Sequence, residues 1–141
     1  MTSHQINLVK ESFEKIRPAA QAAGELFYHN LFEIAPQARA LFKTPIPEQA
    51  GKLMYTLSYV VTHLHTPETI IDDVRRLALR HQQYGARPEH YEIVGAALIK
   101  TLSQGLAGIW NNQLEEAWKM AYSMIANAMM GASSEEEKMA A

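Results

Sequence analysis

Three polar residues interrupt apolar stripes, and they define the chemistry open to this chain. His81 lies on the series Ile70, Val74, Leu77, His81 and Tyr84, spaced three to four residues apart. That spacing places all five on one helix face. An imidazole there has two readings. It can be a core or half-buried histidine bonded to a neighbour, since buried polar groups find partners. It can also be a metal ligand. No second histidine or acid stands at ligand spacing beside it, so it cannot build a zinc site alone. It can supply the single protein bond to an iron already held by a porphyrin. Gln49 lies one turn before Leu53 and shares its inner face. It is either an ordinary polar group near a helix start or an amide donor aimed into a pocket. Tyr28, on the stripe Phe27, Tyr28, Leu31 and Phe32, is either a core ring with its hydroxyl at the edge or a second inward donor.

The remaining candidates point to no other chemistry. His63 and His65 are two apart near a helix end and cannot face one ion from one helix; they read as surface or loop residues. His4, His29 and His90 have no partner at useful spacing. Arg75, Arg76 and Arg80 read as a solvated basic face. Asp72 and Asp73 are adjacent, point to different sides of a helix and do not form an acid–base pair. No glycine-rich phosphate loop, H-E-x-x-H, G-x-S-x-G or EF-hand loop is present. Cysteine is absent, which removes thiolate catalysis, iron–sulfur clusters and covalent haem attachment through C-x-x-C-H.

The elements that must position these residues are helical throughout. The 141 residues, 48% hydrophobic and 20% charged, suit one globular domain that needs no staple. Apolar spacing predicts helices over residues 3–17, 19–33, 48–65, 68–84, 88–105 and 112–130, with a short helical piece from Pro36 to Phe42. Prolines and glycines punctuate them. Pro18 ends the first helix or opens the next, residues 44–47 form a turn or loop, Thr66 caps the following helix, Gly85 stops it, Pro88 starts another, and Asn111 or Asn112 caps the last. Gly24 and the pair Ala50–Gly51 are small enough to let two helices cross closely. The acidic tail 131–141 reads as frayed or disordered. The expected fold class is all-α, with six to eight helices. The net charge of −2 and pI near 6.3 give no reason to expect nucleic acid or an anionic membrane. No run of apolar residues reaches membrane length, and no signal-peptide core stands at the start. The expected location is the cytoplasm.

Taken together, the segments Leu26-Phe27-Tyr28-His29-Asn30-Leu31-Phe32, Pro36 with Leu41-Phe42, Gln49 to Leu53, Arg80-His81-Gln82-Gln83-Tyr84-Gly85, His90-Tyr91-Glu92-Ile93-Val94-Gly95, Ala117-Trp118 and Ala121-Tyr122 carry a resemblance. The chain resembles the globin family over residues 3–130. The likeness is greatest to bacterial single-domain globins and to the haem domain of flavohaemoglobins. The resemblance implies a globin fold around non-covalently bound haem b, iron protoporphyrin IX. His81 would be the proximal iron ligand, and Tyr28 and Gln49 the distal pair. Phe42 would pack on the haem face, and Leu53 would limit access to the iron. Lys52 and Arg80 would meet the haem propionates, and Tyr91 would stand near the proximal histidine.

The implied function is reversible oxygen binding, for storage or transport, with carbon monoxide and nitric oxide as further gases. The alternative is nitric oxide dioxygenation with an external reductase. Two departures bear on this choice. Flavohaemoglobins carry a glutamate on the last helix that bonds the proximal histidine, and that position falls at about Ser133 here. A missing carboxylate leaves the imidazole less electron-donating. The sequence also ends where a reductase domain would begin.

Overall fold

The structure, a computed structural model, describes the backbone of residues 1–83, 85 and 87–140, and side chains of this set up to Gly131. Among the described residues there are six α-helices and no strand. Helix α1, Ser3–Ile16, opens on a reciprocal cap. The Gln5 amide N–H donates to Thr2 Oγ1 at 3.1 Å, and the Thr2 N–H donates to Gln5 Oε1 at 2.9 Å. Pro18 then sits in a 3₁₀ turn, Arg17–Ala19, that leads into α2, Ala20–Ile34. A second 3₁₀ piece, Pro36–Leu41, precedes α3, Ile46–Thr62. After a third, Pro67–Ile70, come α4, Ile71–Gln83, α5, Pro88–Gly105, and α6, Asn112–Ala140.

Three boundaries differ from the sequence reading. Pro47 lies inside the first turn of α3 rather than in a loop, because that turn needs no N–H from it. Thr66 makes no side-chain cap; its carbonyl instead accepts the Thr69 hydroxyl at 2.7 Å. The backbone of α6 continues to Ala140, across the segment whose composition suggests a frayed tail. Other signals act as read. Asn111 Oδ1 accepts the Leu114 N–H at 2.9 Å, and Gly85 turns the chain after α4 with φ of +92°, a region that favours glycine.

Two helix pairs are locked by specific chemistry. Helix α2 crosses α3 at Gly24, where a Cβ would stand 2.8 Å from the Ala50 carbonyl oxygen and 2.9 Å from its Cβ. Only a missing side chain permits that approach. On the far side of α2, buried Asn30 donates to Thr101 Oγ1 at 3.0 Å and to Gln104 Oε1 at 2.9 Å on α5. Helix α1 is tied to α6 by Trp118 Nε1, which donates to buried Ser12 Oγ at 2.9 Å.

The apolar interior divides unequally. The main core gathers Val9, Phe13, Phe27, Leu31, Ala50, Met54, Leu102 and Trp118 among others, from α1, α2, α3, α5 and α6. A smaller cluster of Ile70, Val74, Ala78 and Met129 seats α4 on α6.

Candidate functional site

The α2–α3 crossing builds one wall of the site. Tyr28 is buried, and its ring meets Phe27 edge-on at 5.0 Å and Phe42 at 5.2 Å, with Phe32 at 6.0 Å. These offset contacts fix the ring plane. Gln49, half-buried at the start of α3, lies beside the phenol. Burial pushes the Tyr28 hydroxyl above its ordinary pKa, and the Gln49 amide opposes this only in part. The phenol therefore keeps its proton at neutral pH and remains a donor. Gln49 cannot drift, because its neighbour Ala50 is pinned against Gly24 and Gln21 Nε2 donates to the Pro47 carbonyl at 2.8 Å. Leu53, one turn further along α3, is half-buried. Phe42 is half-buried and also touches Phe32, with ring centres 5.7 Å apart.

Helix α4 builds the other wall. Helices α3 and α4 are joined by a short connection yet do not pack closely. Between them lies a cleft of about 270 Å³, lined from α3 by Thr56 and Val60 and from α4 by Val74, Leu77 and Arg80. The burial of the α4 stripe fades along its length. Ile70 and Val74 are buried, Leu77 is half-buried and His81 is exposed. This corrects the core-histidine reading. His81 Nδ1 stands 2.9 Å from the Leu77 carbonyl oxygen. A carbonyl can only accept, so Nδ1 carries the proton and Nε2 keeps its lone pair.

The remaining sequence candidates divide. Lys52 and Arg80 are exposed, and Arg80 lies at the cleft. Tyr91 is half-buried on the α4 side, packed against the small cluster that seats that helix. Its carbonyl accepts the Tyr122 hydroxyl at 2.5 Å, and burial pushes both phenols above their ordinary range. Gly95 admits the Tyr122 ring, which a Cβ there would meet at 2.8 Å. Tyr84 and the Ser133 side chain lie outside the described residues.

Other contacts went unread in the sequence. Tyr59 on α3 donates to Asp73 Oδ2 on α4 at 2.5 Å, and Asp73 Oδ1 accepts from Arg76. His63, read as a surface residue, is half-buried; its ring lies 4.6 Å from that of Tyr59, and its Nδ1 bonds the Tyr59 carbonyl at 2.8 Å. His90 Nδ1 accepts the Arg87 N–H at 3.0 Å and so caps α5. No local pattern announces a hydroxyl–carboxylate pair on two different helices.

The donor set tests what the site could hold. Among the described residues no group of three or more His, Asp or Glu could bind a bare metal ion. A single imidazole one turn past the cleft-lining Leu77, and a buried phenol with an amide beside it on the α2–α3 wall, suit an iron that brings its own equatorial ligands. That combination defines an all-helical haem-binding protein.

The comparisons with known proteins give the family. The globin family model matches residues 25–129, and the chain belongs to the globin family. A flavohemoprotein of Vibrio cholerae is 27% identical over 92% of this chain and 34% of its own length. One from Xylella fastidiosa is 32% identical over 89% of this chain and 32% of its own. The chain thus spans about a third of the length of these relatives. An anaerobic nitrite reductase of Physcomitrium patens is 29% identical over 84% of this chain and 74% of its own. Among solved structures, a bacterial globin from Campylobacter jejuni superposes with a TM-score of 0.86 at 24% identity, covering 97% of this chain and 99% of that one. An engineered carbene transferase, described as a candidate nitric oxide dioxygenase from Rhodothermus marinus, gives 0.87 at 25% identity over 100% and 99%. Among the described residues no helix is long and apolar enough to cross a membrane.

Proposed function

We propose that this globin reversibly binds a diatomic gas, oxygen foremost, in the space between its α3 and α4 walls. Haem, when bound, would supply an iron able to take a small gas. The reading takes haem b as the group, held without a covalent bond, with His81 Nε2 as the protein ligand. The α3–α4 pairing supports this placement. The two helices meet at Tyr59 and Asp73, and the cleft continues to Thr56 and Arg80. Leu53 and Phe42, both half-buried, would offer the haem apolar surface. Lys52 and Arg80, both exposed, are cations suited to the carboxylates of the haem. Tyr91 backs the helix that carries His81.

One observation carries the proposal: Tyr28 is a buried phenol, kept protonated by that burial, with the Gln49 amide beside it. Tyr28 Oη and the Gln49 amide can each donate to a guest that carries partial negative charge and so delay its escape. Carbon monoxide, nearly neutral, gains little from the same donors. The test is the absorption spectrum of the purified protein, oxidised, reduced, and under oxygen. An intense Soret band and an oxygen-dependent spectrum that reverses on degassing are expected, with loss of the pigment in His81→Ala. A His81→Ala protein that keeps its pigment and colour unchanged overturns the assignment.

The donor pair also favours a second reading, nitric oxide dioxygenation, since slow oxygen release leaves time for nitric oxide to arrive. It requires reducing equivalents from a reductase partner. Repeated nitric oxide consumption by the oxygenated protein with a cellular reductant supports this reading, and a single stoichiometric turnover returns the assignment to gas binding.

A further inference from the structure

Helix α4 carries the residue that matters most to the proposed function, yet little holds it toward α3. The two helices do not pack closely, and an open cleft separates them over Thr56, Val60, Leu77 and Arg80. At one end of that cleft a polar bridge spans the gap. Tyr59 Oη donates to Asp73 Oδ2 at 2.5 Å, and Arg76 occupies the other carboxylate oxygen. The Tyr59 ring is held in place by packing against the small α4–α6 cluster and by the His63 ring at 4.6 Å. Neighbouring Asp72 offers a contrast. It pairs only within α4, with Arg75 at 3.8 Å.

We propose that Tyr59 and Asp73, steadied by Arg76, form a clasp that fixes the tilt of α4 against α3 and thereby sets how far His81 reaches into the cleft. Both are positioning residues. The leverage follows from helix geometry. His81 stands eight residues beyond Asp73, about 12 Å along the axis at ~1.5 Å per residue. A rotation of α4 by roughly 5° about the clasp would move the imidazole by about 1 Å, enough to strain a bond to a centred iron. Apart from the clasp, α4 is seated on α6 through Val74, Ala78 and Met129 and touches α3 through Val60, apolar contacts that fix no direction of tilt as a hydrogen bond does.

The inference rests on the reading of His81 as the iron ligand, and its test separates the two. In the haem-loaded protein, Tyr59→Phe removes one oxygen and leaves the ring packed. Haem release to an acceptor protein should then quicken about two- to fivefold, the range expected for loss of one exposed contact. The iron–histidine vibration of the reduced protein should shift or broaden. Amide exchange should rise across 71–83 and stay unchanged in α1 and α2. Asp73→Ala should reproduce these changes. Asp73→Asn, which keeps an acceptor for Tyr59, should restore most of the parent behaviour, and Asp72→Ala should match the parent. A Tyr59→Phe protein with parental haem release and vibration overturns the clasp while leaving the His81 reading intact. So does an Asp72→Ala protein that behaves like Tyr59→Phe. Retention of haem by His81→Ala overturns both.

Discussion

The two walls of the pocket are built on opposite principles. The α2–α3 wall is interlocked: backbone meets backbone at Gly24 and Ala50, and three aromatic rings surround Tyr28. Phe27, Tyr28 and Ala50 belong to the main core, and Phe32, Phe42 and Leu53 pack against it. The α4 wall rests on a four-residue cluster and a set of solvent-facing ion pairs, which contribute little stability individually. The contrast follows from what each wall must do. Hydrogen-bond donors act only if they stand still when charge appears, so their support must be stiff. A metal ligand can be drawn into place by the bond it forms, so its helix can be held by fewer contacts.

Substitutions can break this contrast, and the crossing gives the largest effect. Gly24→Val places branched carbon where the Ala50 carbonyl already stands 2.8 Å from a single added Cβ. A loss of about 3 kcal/mol in stability to denaturant is expected, the upper range for overpacking. A variant as stable as the parent would mean the crossing can open at no cost. Tyr28→Phe follows. Hydrogen bonds to charged partners are worth about 1.5–3 kcal/mol, so stopped-flow oxygen dissociation should quicken roughly 10- to 150-fold. Carbon monoxide dissociation should change far less. An unaltered oxygen rate removes Tyr28 from the site.

Gly51→Ala sharpens the comparison from within the same helix. Its nearest neighbour is Gln21 Oε1 at 3.7 Å, an ordinary contact. Here the added methyl should stabilise by up to about 1 kcal/mol through helix propensity, against the loss expected at Gly24, which meets the adjacent Ala50.

Acid should separate the walls most gently. The Asp73 carboxyl is held below its ordinary 3.8, first by the Tyr59 hydrogen bond and then by Arg76, with Arg80 adding attraction. A carboxyl depressed in the folded state stabilises fully above its ordinary value. That contribution is lost as pH falls through the native one. Below about pH 4, amide protection in α4 should decline before that in α2 and α3. Simultaneous loss across all helices would show that the walls are not independent.

What the sequence discloses and what it conceals divide along the same line. Ile6, Val9, Phe13 and Ile16 announce α1 because helical spacing is local, and Pro18, Gly85 and Pro88 mark the breaks because their backbone limits are local too. The close crossing of α2 and α3 was legible in the small residues Gly24 and Ala50, whereas the pairing of Tyr28 with Gln49 followed only from the family resemblance. The clasp was not, since Tyr59 and Asp73 lie 14 residues apart on separate helices and each is ordinary in its own context. The exposure of His81 was also hidden. An apolar stripe shows which face turns inward, but not how deeply each position along it lies.

The amide of Asn30 has a consequence beyond its own burial. It stands two residues from Tyr28, on the opposite side of α2, and both its hydrogens are spent on α5. Were α2 to turn or slide by one residue, those hydrogens would be stranded among hydrocarbon. The phenol's address is thus written from behind. Changes at Thr101 or Gln104, which face away from the pocket, would still be heard there as altered timing of gas escape.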